Sequence, residues 1–109
     1  MTDQQLEKLL IRWQRILRLQ DWDIKASITR NFDMPDGKAG YIEYVKTNKT
    51  ALIYILDPQD CNPNNAFLED PEESLVHELL HLHFVNRSNL GEEQGIESIM
   101  RALIKLDRL

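Results

Sequence analysis

The chain begins with a stretch whose apolar residues recur at spacings of three and four, the period of one helix face. Thr2 and Gln5 stand three residues apart, as in a capping box, and place the start of this helix near Thr2. We therefore predict that the first segment is a helix that begins near Thr2. Its buried stripe consists of Leu6, Leu9, Leu10, Trp13, Ile16 and Leu17.

The period changes to two after this helix, which predicts a sheet. Apolar and polar residues alternate from Trp22 to Thr29, a pattern typical of a half-buried strand. A turn is predicted at Met34 to Gly37, and two more strands, Gly40 to Lys46 and Ala51 to Leu56, flank a second turn at Asn48-Lys49. The last strand is apolar on both faces and should be the central one, which leaves Gly40 to Lys46 at an edge.

A loop rich in proline and asparagine, Asp57 to Ala66, separates the strands from two further helices. Asp70 is followed by a proline and two glutamates, a strong start signal, and this helix should run to about Val85 or Asn86. A capping box at Asn89 predicts the start of the last helix. The apolar stripe of the last helix consists of Ile96, Ile99, Met100, Leu103 and Ile104.

This order of elements predicts an α+β fold, and 109 residues with 42% hydrophobic residues fit a single domain over residues 1–109. A net charge of -5 argues against a nucleic-acid-binding module. Between Asp57 and Glu97 there are ten acidic residues and one basic residue, either a solvated face or a set of oxygen ligands for a cation. The single cysteine, Cys61, cannot form an internal disulfide, and no apolar run approaches the ~20 residues of a membrane span. We expect a cytoplasmic protein without nucleic-acid or membrane partners.

The segment His77-Glu78-Leu79-Leu80-His81 lies well inside a predicted helix. Two histidines four residues apart stand on one helix face, where both ring nitrogens can reach one Zn²⁺ at about 2.0–2.1 Å. Glu78 stands beside them, placed to take a proton from water rather than to bind the metal. We therefore expect one zinc ion per chain, with two histidines of an ordinary amphipathic helix as the alternative.

A catalytic zinc site takes three protein ligands, so a third is needed. His83 lies about 200° around the helix from His81 and should pack or hydrogen-bond elsewhere. The third ligand should therefore be a carboxylate of the last helix. Glu93 ranks first because it stands one turn before the buried stripe. Glu97 lies one turn deeper, suited to hold a ligand histidine, and Glu92 should be used in capping.

The motif, followed by a short link and by Glu93 to Ile96, resembles the gluzincin branch of the zincin metallopeptidases. The small size and the order of elements resemble the minimal members of that branch, the minigluzincins. The order of elements resembles that family over most of the chain, but the specific sequence resemblance is confined to His77 to Arg101. It implies an N-terminal backing helix from Thr2 to Gln20, a three-stranded sheet, an active-site helix and a C-terminal glutamate helix.

By this resemblance the zinc ligands would be His77, His81 and Glu93, with Glu78 as general base and acid in the hydrolysis of peptides or unfolded segments. Only 11 residues separate His81 from Glu93, and a latent or non-catalytic zinc-binding regulatory or interaction module is the alternative. A small α+β interaction domain without metal is a weaker one. Candidates for stabilising the oxyanion are Tyr41, Tyr44 and Tyr54, although packing within the sheet is the favoured interpretation of each.

Overall fold

The computed structural model describes residues 1–30, 33–34, 38–60, 70–85 and 92–109. The elements are α1 (Asp3–Ile16), β1 (Asp23–Thr29), β2 (Gly40–Val45), β3 (Thr50–Leu56), α2 (Pro71–His81) and α3 (Glu92–Asp107), with 3₁₀ turns at Pro58–Asp60 and Leu82–Phe84. This is the α+β layout that the sequence predicts. The capping box at Asn89 lies outside the described residues, as does part of the turn at Met34 to Gly37 and of the loop from Asp57 to Ala66. Within the described ranges, no helix has both the length and the apolar composition needed to span a bilayer.

The three strands form a mixed sheet in the order β1-β3-β2. β1 runs parallel to β3, and β2 runs antiparallel to it. The prediction of β3 as the central strand and β2 as an edge is confirmed. Ala51, Ile53 and Ile55 of β3 are buried, whereas Leu52 between them is 43% exposed. Alternate residues therefore separate a covered face of the sheet, which belongs to the core, from an outer face.

Helix α1 ends at Ile16, four residues before the predicted end. Arg18 adopts a left-handed backbone conformation with a φ of 57°. The amide of Leu19 donates to the carbonyl of Gln14 at 2.8 Å, and the amide of Arg18 donates to that of Arg15 at 3.2 Å. This is the bonding of a Schellman motif, which usually places glycine where Arg18 stands. Without that glycine, the sequence pattern gave no signal for the end of the helix.

Helix α2 is the centre of the fold, because it packs against α1, β2, β3 and α3. The predicted start is confirmed: the amide of Glu73 donates to Asp70 Oδ1 at 2.8 Å, and the amide of Asp70 donates to Glu73 Oε1 at 3.1 Å. The α-helix ends at His81, earlier than predicted, where the amide of Leu82 bonds to the carbonyl of Leu79 and tightens the chain into a 3₁₀ turn. The buried residues of α2 are Ser74, Leu75, Val76, Glu78, Leu79 and Leu80.

A polar cluster joins three helices at the start of α2. Trp13 Nε1 of α1 donates to Glu72 Oε2 at 2.7 Å. Arg108, one residue beyond α3, donates to Asp70 Oδ2 at 2.7 Å and to Glu72 Oε1 at 3.1 Å. The end of α3 thus lies beside the start of α2, so the two helices are antiparallel. This cluster fixes the far end of α3 against the helix that carries the histidine pair.

Asp70→Ala should lower the free energy of unfolding by about 1–2 kcal/mol, because Asp70 both caps α2 and accepts from Arg108. The matched control is Thr2→Ala, which removes the same kind of capping box from α1 without an ion pair and should cost about 0.5–1 kcal/mol. Chemical denaturation of the metal-free protein measures both. Equal losses in the two variants would mean that the contact with Arg108 contributes nothing.

Candidate metal centre

His77 and His81 stand one turn apart on α2, with ring centroids 5.2 Å apart. Their side chains are only 12% and 18% exposed. One potential ligand atom from each of His77, Glu78 and His81 lies within 4.8 Å of the others. The helix therefore brings the three motif residues within metal-binding distance of one another, as the spacing predicts.

Carboxylates of α3 hold the Nδ1 atoms of both rings. His77 Nδ1 lies 2.6 Å from Glu97 Oε1, and His81 Nδ1 lies 3.1 Å from Glu92 Oε1. An ionised carboxylate can only accept a hydrogen bond, so each Nδ1 carries the proton and donates it. This assignment fixes the orientation of each ring and leaves the lone pair of each Nε2 for a metal.

Glu93 faces both Nε2 atoms at once. Its Oε1 lies 2.9 Å from His81 Nε2, and its Oε2 lies 3.1 Å from His77 Nε2. A divalent cation between these groups would bind two nitrogen lone pairs and a carboxylate, whereas without a cation a proton on an Nε2 atom would donate to Glu93. Two imidazoles and one carboxylate are a common ligand set for catalytic zinc, so the residues present fit that ion. The Glu93 side chain is 71% exposed, so the site is open to solvent on this side.

The structure separates the roles of the three candidate glutamates. The predicted contact between Glu97 and a histidine of the motif is present. Glu92 does not point away from the histidines as expected, because its Oε1 lies 3.1 Å from His81 Nδ1. Its predicted cap on Asn89 lies outside the described residues. The end of α2 lies beside the start of α3, and helical side chains lean towards the helix N-terminus, which brings Glu92 against the ring. The choice of Glu93 as the third ligand stays a prediction, which its position between the Nε2 atoms favours.

His83 does not join the histidine pair. Its Nε2 donates to the backbone carbonyl of Leu17, at the end of α1, at 2.7 Å. This is the hydrogen-bonding role that its position on the helix predicts. Cys61 lies outside the described residues.

Glu78 is the one buried carboxylate of the described residues, with 7% of its surface exposed. Burial raises the pKa of Glu78 above its usual range and is the largest influence on it. Positive charge on His77 and His81, when these rings are protonated, lowers this pKa, as does Lys38, and Glu93 raises it, but burial outweighs these charges. A raised pKa makes the ionised carboxylate a stronger proton acceptor than an exposed glutamate.

Gly40 is a neighbour of Glu78 that the sequence analysis did not single out. A Cβ atom built on Gly40 would lie 3.1 Å from Glu78 Oε1. The first residue of β2 therefore lies directly against the buried carboxylate. A glycine within a strand pattern is a known sign of close approach by another group, and this signal was available in the sequence.

The tyrosines are placed as packing residues. Tyr41 and Tyr54 stand opposite each other in the sheet with their rings stacked, centroids 6.1 Å apart. Side chains alternate along a strand, so these two lie on the sheet face opposite to the side on which Gly40 approaches Glu78. Tyr44 is four residues along β2 from Gly40 and packs edge-on against Trp22 at 6.4 Å.

Comparison of the chain with protein-family models, with curated proteins and with solved structures finds no match in any of the three.

Replacement of His77 or His81 by Ala should lower the zinc content of the purified protein from one ion per chain to a small fraction, because each change removes one nitrogen ligand. Elemental analysis after dialysis against trace zinc measures it. His83→Ala is the matched control, since His83 bonds to Leu17 instead, and it should keep its zinc. Stoichiometric zinc in both single variants at the motif would contradict the site.

Glu93→Gln should weaken zinc binding more than the same change at Glu92 or Glu97, because only Glu93 faces both Nε2 atoms. Glu92→Gln and Glu97→Gln should each lose roughly 10–100-fold in affinity, since these residues orient the rings. Competition with a chromophoric chelator gives the affinities, and Glu7→Gln on the exposed face of α1 should change nothing. A larger loss in either of the other two variants would mean that Glu93 is not the ligand.

Proposed function

We propose that this protein is a zinc-dependent peptidase of the gluzincin type, with a zincin-like fold of the small size found in minigluzincins. In this proposal His77, His81 and Glu93 hold one zinc ion, and Glu78 is the general base and acid. The observation that carries the proposal is the burial of Glu78 beside the two histidines. A site that only stabilised the fold would not need a buried carboxylate there, because burying an unused charged group is costly.

Three protein ligands leave one further coordination position on zinc, as catalytic zinc sites require. When bound, zinc polarises a carbonyl group and makes a water molecule more acidic. Glu78 accepts the proton of the attacking water and passes it to the amine that leaves. Glu97 and Glu92 keep the imidazole rings in one orientation and one tautomer throughout.

The sheet offers a place for an extended substrate chain. Leu56 N donates to the carbonyl of Ala39 at 2.9 Å, so these two residues form a hydrogen-bonded pair across the strands. The two types of pair alternate along an antiparallel ladder, so the next pair, Gly40 and Ile55, is not hydrogen-bonded. The backbone N–H and C=O of Gly40 therefore point away from β3, towards the outer edge of β2. An extended peptide can add to such an edge through main-chain hydrogen bonds, beside Glu78. This supports peptides or unfolded protein segments as the substrate.

Glu78→Gln should keep zinc and the fold but remove hydrolysis, because Gln is nearly the same size and cannot take a proton from water. The assay is zinc-dependent cleavage of a peptide library and of a denatured protein, followed by mass spectrometry. A chelator should abolish cleavage and added zinc should restore it.

Cleavage at the native rate by the Glu78→Gln variant would refute the role of Glu78. A native protein that retains one zinc per chain but cleaves no substrate would instead favour the alternative, a latent or non-catalytic zinc-binding module.

A further inference from the structure

Gly40 lies so close to Glu78 that a Cβ atom at this position would make a tighter contact than most Cβ atoms do. A Cβ atom at Gly40 would lie 3.1 Å from Glu78 Oε1, 3.2 Å from its Cγ and 3.5 Å from its Cδ. Carbon atoms in favourable contact are about 3.5–4.0 Å apart. A methyl group at this position would therefore crowd the stem and the carboxylate of the proposed base, which would have to shift by a few tenths of an ångström.

The backbone conformation at position 40 does not require glycine. The φ of Gly40 lies outside the left-handed range that glycine alone adopts easily, and the residue is paired with Ile55 as ordinary strand. In a strand, glycine costs stability relative to residues with a side chain. The feature that requires glycine here is the space that the Glu78 side chain occupies.

Glu78 lies at the packed contact between α2 and the sheet. It is 7% exposed, and its neighbour Leu79 on α2 is fully buried. Helix α2 packs against both β2 and β3, so the helix and the strand hold each other in place. Any side chain at position 40 would have to displace the carboxylate or push the strand away from the helix.

We infer that Gly40 is a positioning residue for the proposed hydrolysis: its missing side chain sets the place of the Glu78 carboxylate between α2 and the edge strand. This inference rests on the proposed function. The same glycine presents its backbone at the outer edge of β2, so it fixes the distance between the proton acceptor and a chain bound to that edge. Displacement of a catalytic group by a fraction of an ångström is enough to slow a reaction severalfold or more.

The contact can be tested without metal or substrate, by a double-mutant cycle of Gly40→Ala and Glu78→Ala in the metal-free protein. Gly40→Ala should lower the melting temperature by about 4–8 °C when Glu78 is present. In the Glu78→Ala background the crowding is gone, and Gly40→Ala should be neutral or should raise the melting temperature, because alanine restricts the unfolded chain.

The matched control is Gly95→Ala, since a Cβ at Gly95 of α3 meets nothing within 4 Å. It should raise the melting temperature equally in both backgrounds, because alanine favours the helix. Equal shifts for Gly40→Ala in the two backgrounds would overturn the inference. If Gly40→Ala alone does not fold, recovery of folding in the double variant supports the inference, and failure of the double variant overturns it.

The second measurement uses the zinc-loaded protein and a peptide that the native protein cleaves. Gly40→Ala should keep one zinc per chain and a similar KM but lower kcat by roughly 10–100-fold. A native kcat in this variant would overturn the positioning role. Absence of any cleavage by the native protein would refute the proposed function and the catalytic part of this inference with it. The melting temperatures of the double-mutant cycle test the contact between Gly40 and Glu78 independently of activity.

Discussion

The antiparallel packing of α3 on α2 is the interaction on which the candidate site depends. At one end it brings three glutamates of the first turns of α3 to two imidazoles, and at the other end Arg108 binds the start of α2. Between these ends α3 buries Ile96, Met100 and Ile104. The apolar contacts supply the stability, and the polar contacts at the two ends set the position of one helix along the other. The result is a defined arrangement of two histidines and three glutamates in a small chain that has no internal disulfide to hold it.

At Glu78 the residue type that would best stabilise the core differs from the one that the proposed hydrolysis needs. An apolar residue would stabilise the core there, because burial raises the pKa of a carboxyl group and makes its charged form costly. A carboxylate kept at such a place, next to two imidazoles whose nitrogens face another carboxylate, is typical of a functional site. The sheet is adapted to the same carboxylate, since β2 has a glycine, Gly40, where a side chain would crowd Glu78.

The parts of the fold that depend on local sequence could be predicted. The capping signal of Asp70, the central position of the most apolar strand and the spacing of the histidine motif all act over a few residues. The contact of Glu97 followed from helix phase alone. The left-handed Arg18, which ends α1, carries no glycine signal. The contacts of Glu92 and Gly40 depend on where helix ends and strands meet in three dimensions, which neither helix phase nor strand alternation specifies.

The central claim is that one zinc ion lies between the Nε2 atoms of His77 and His81. The most direct measurement is a crystal structure of the protein purified with stoichiometric zinc, with anomalous data collected on both sides of the zinc absorption edge. We expect one anomalous peak per chain, about 2.0–2.1 Å from both Nε2 atoms and bound by the Glu93 carboxylate. A peak at another place, or a ligand set without either histidine, would contradict the claim.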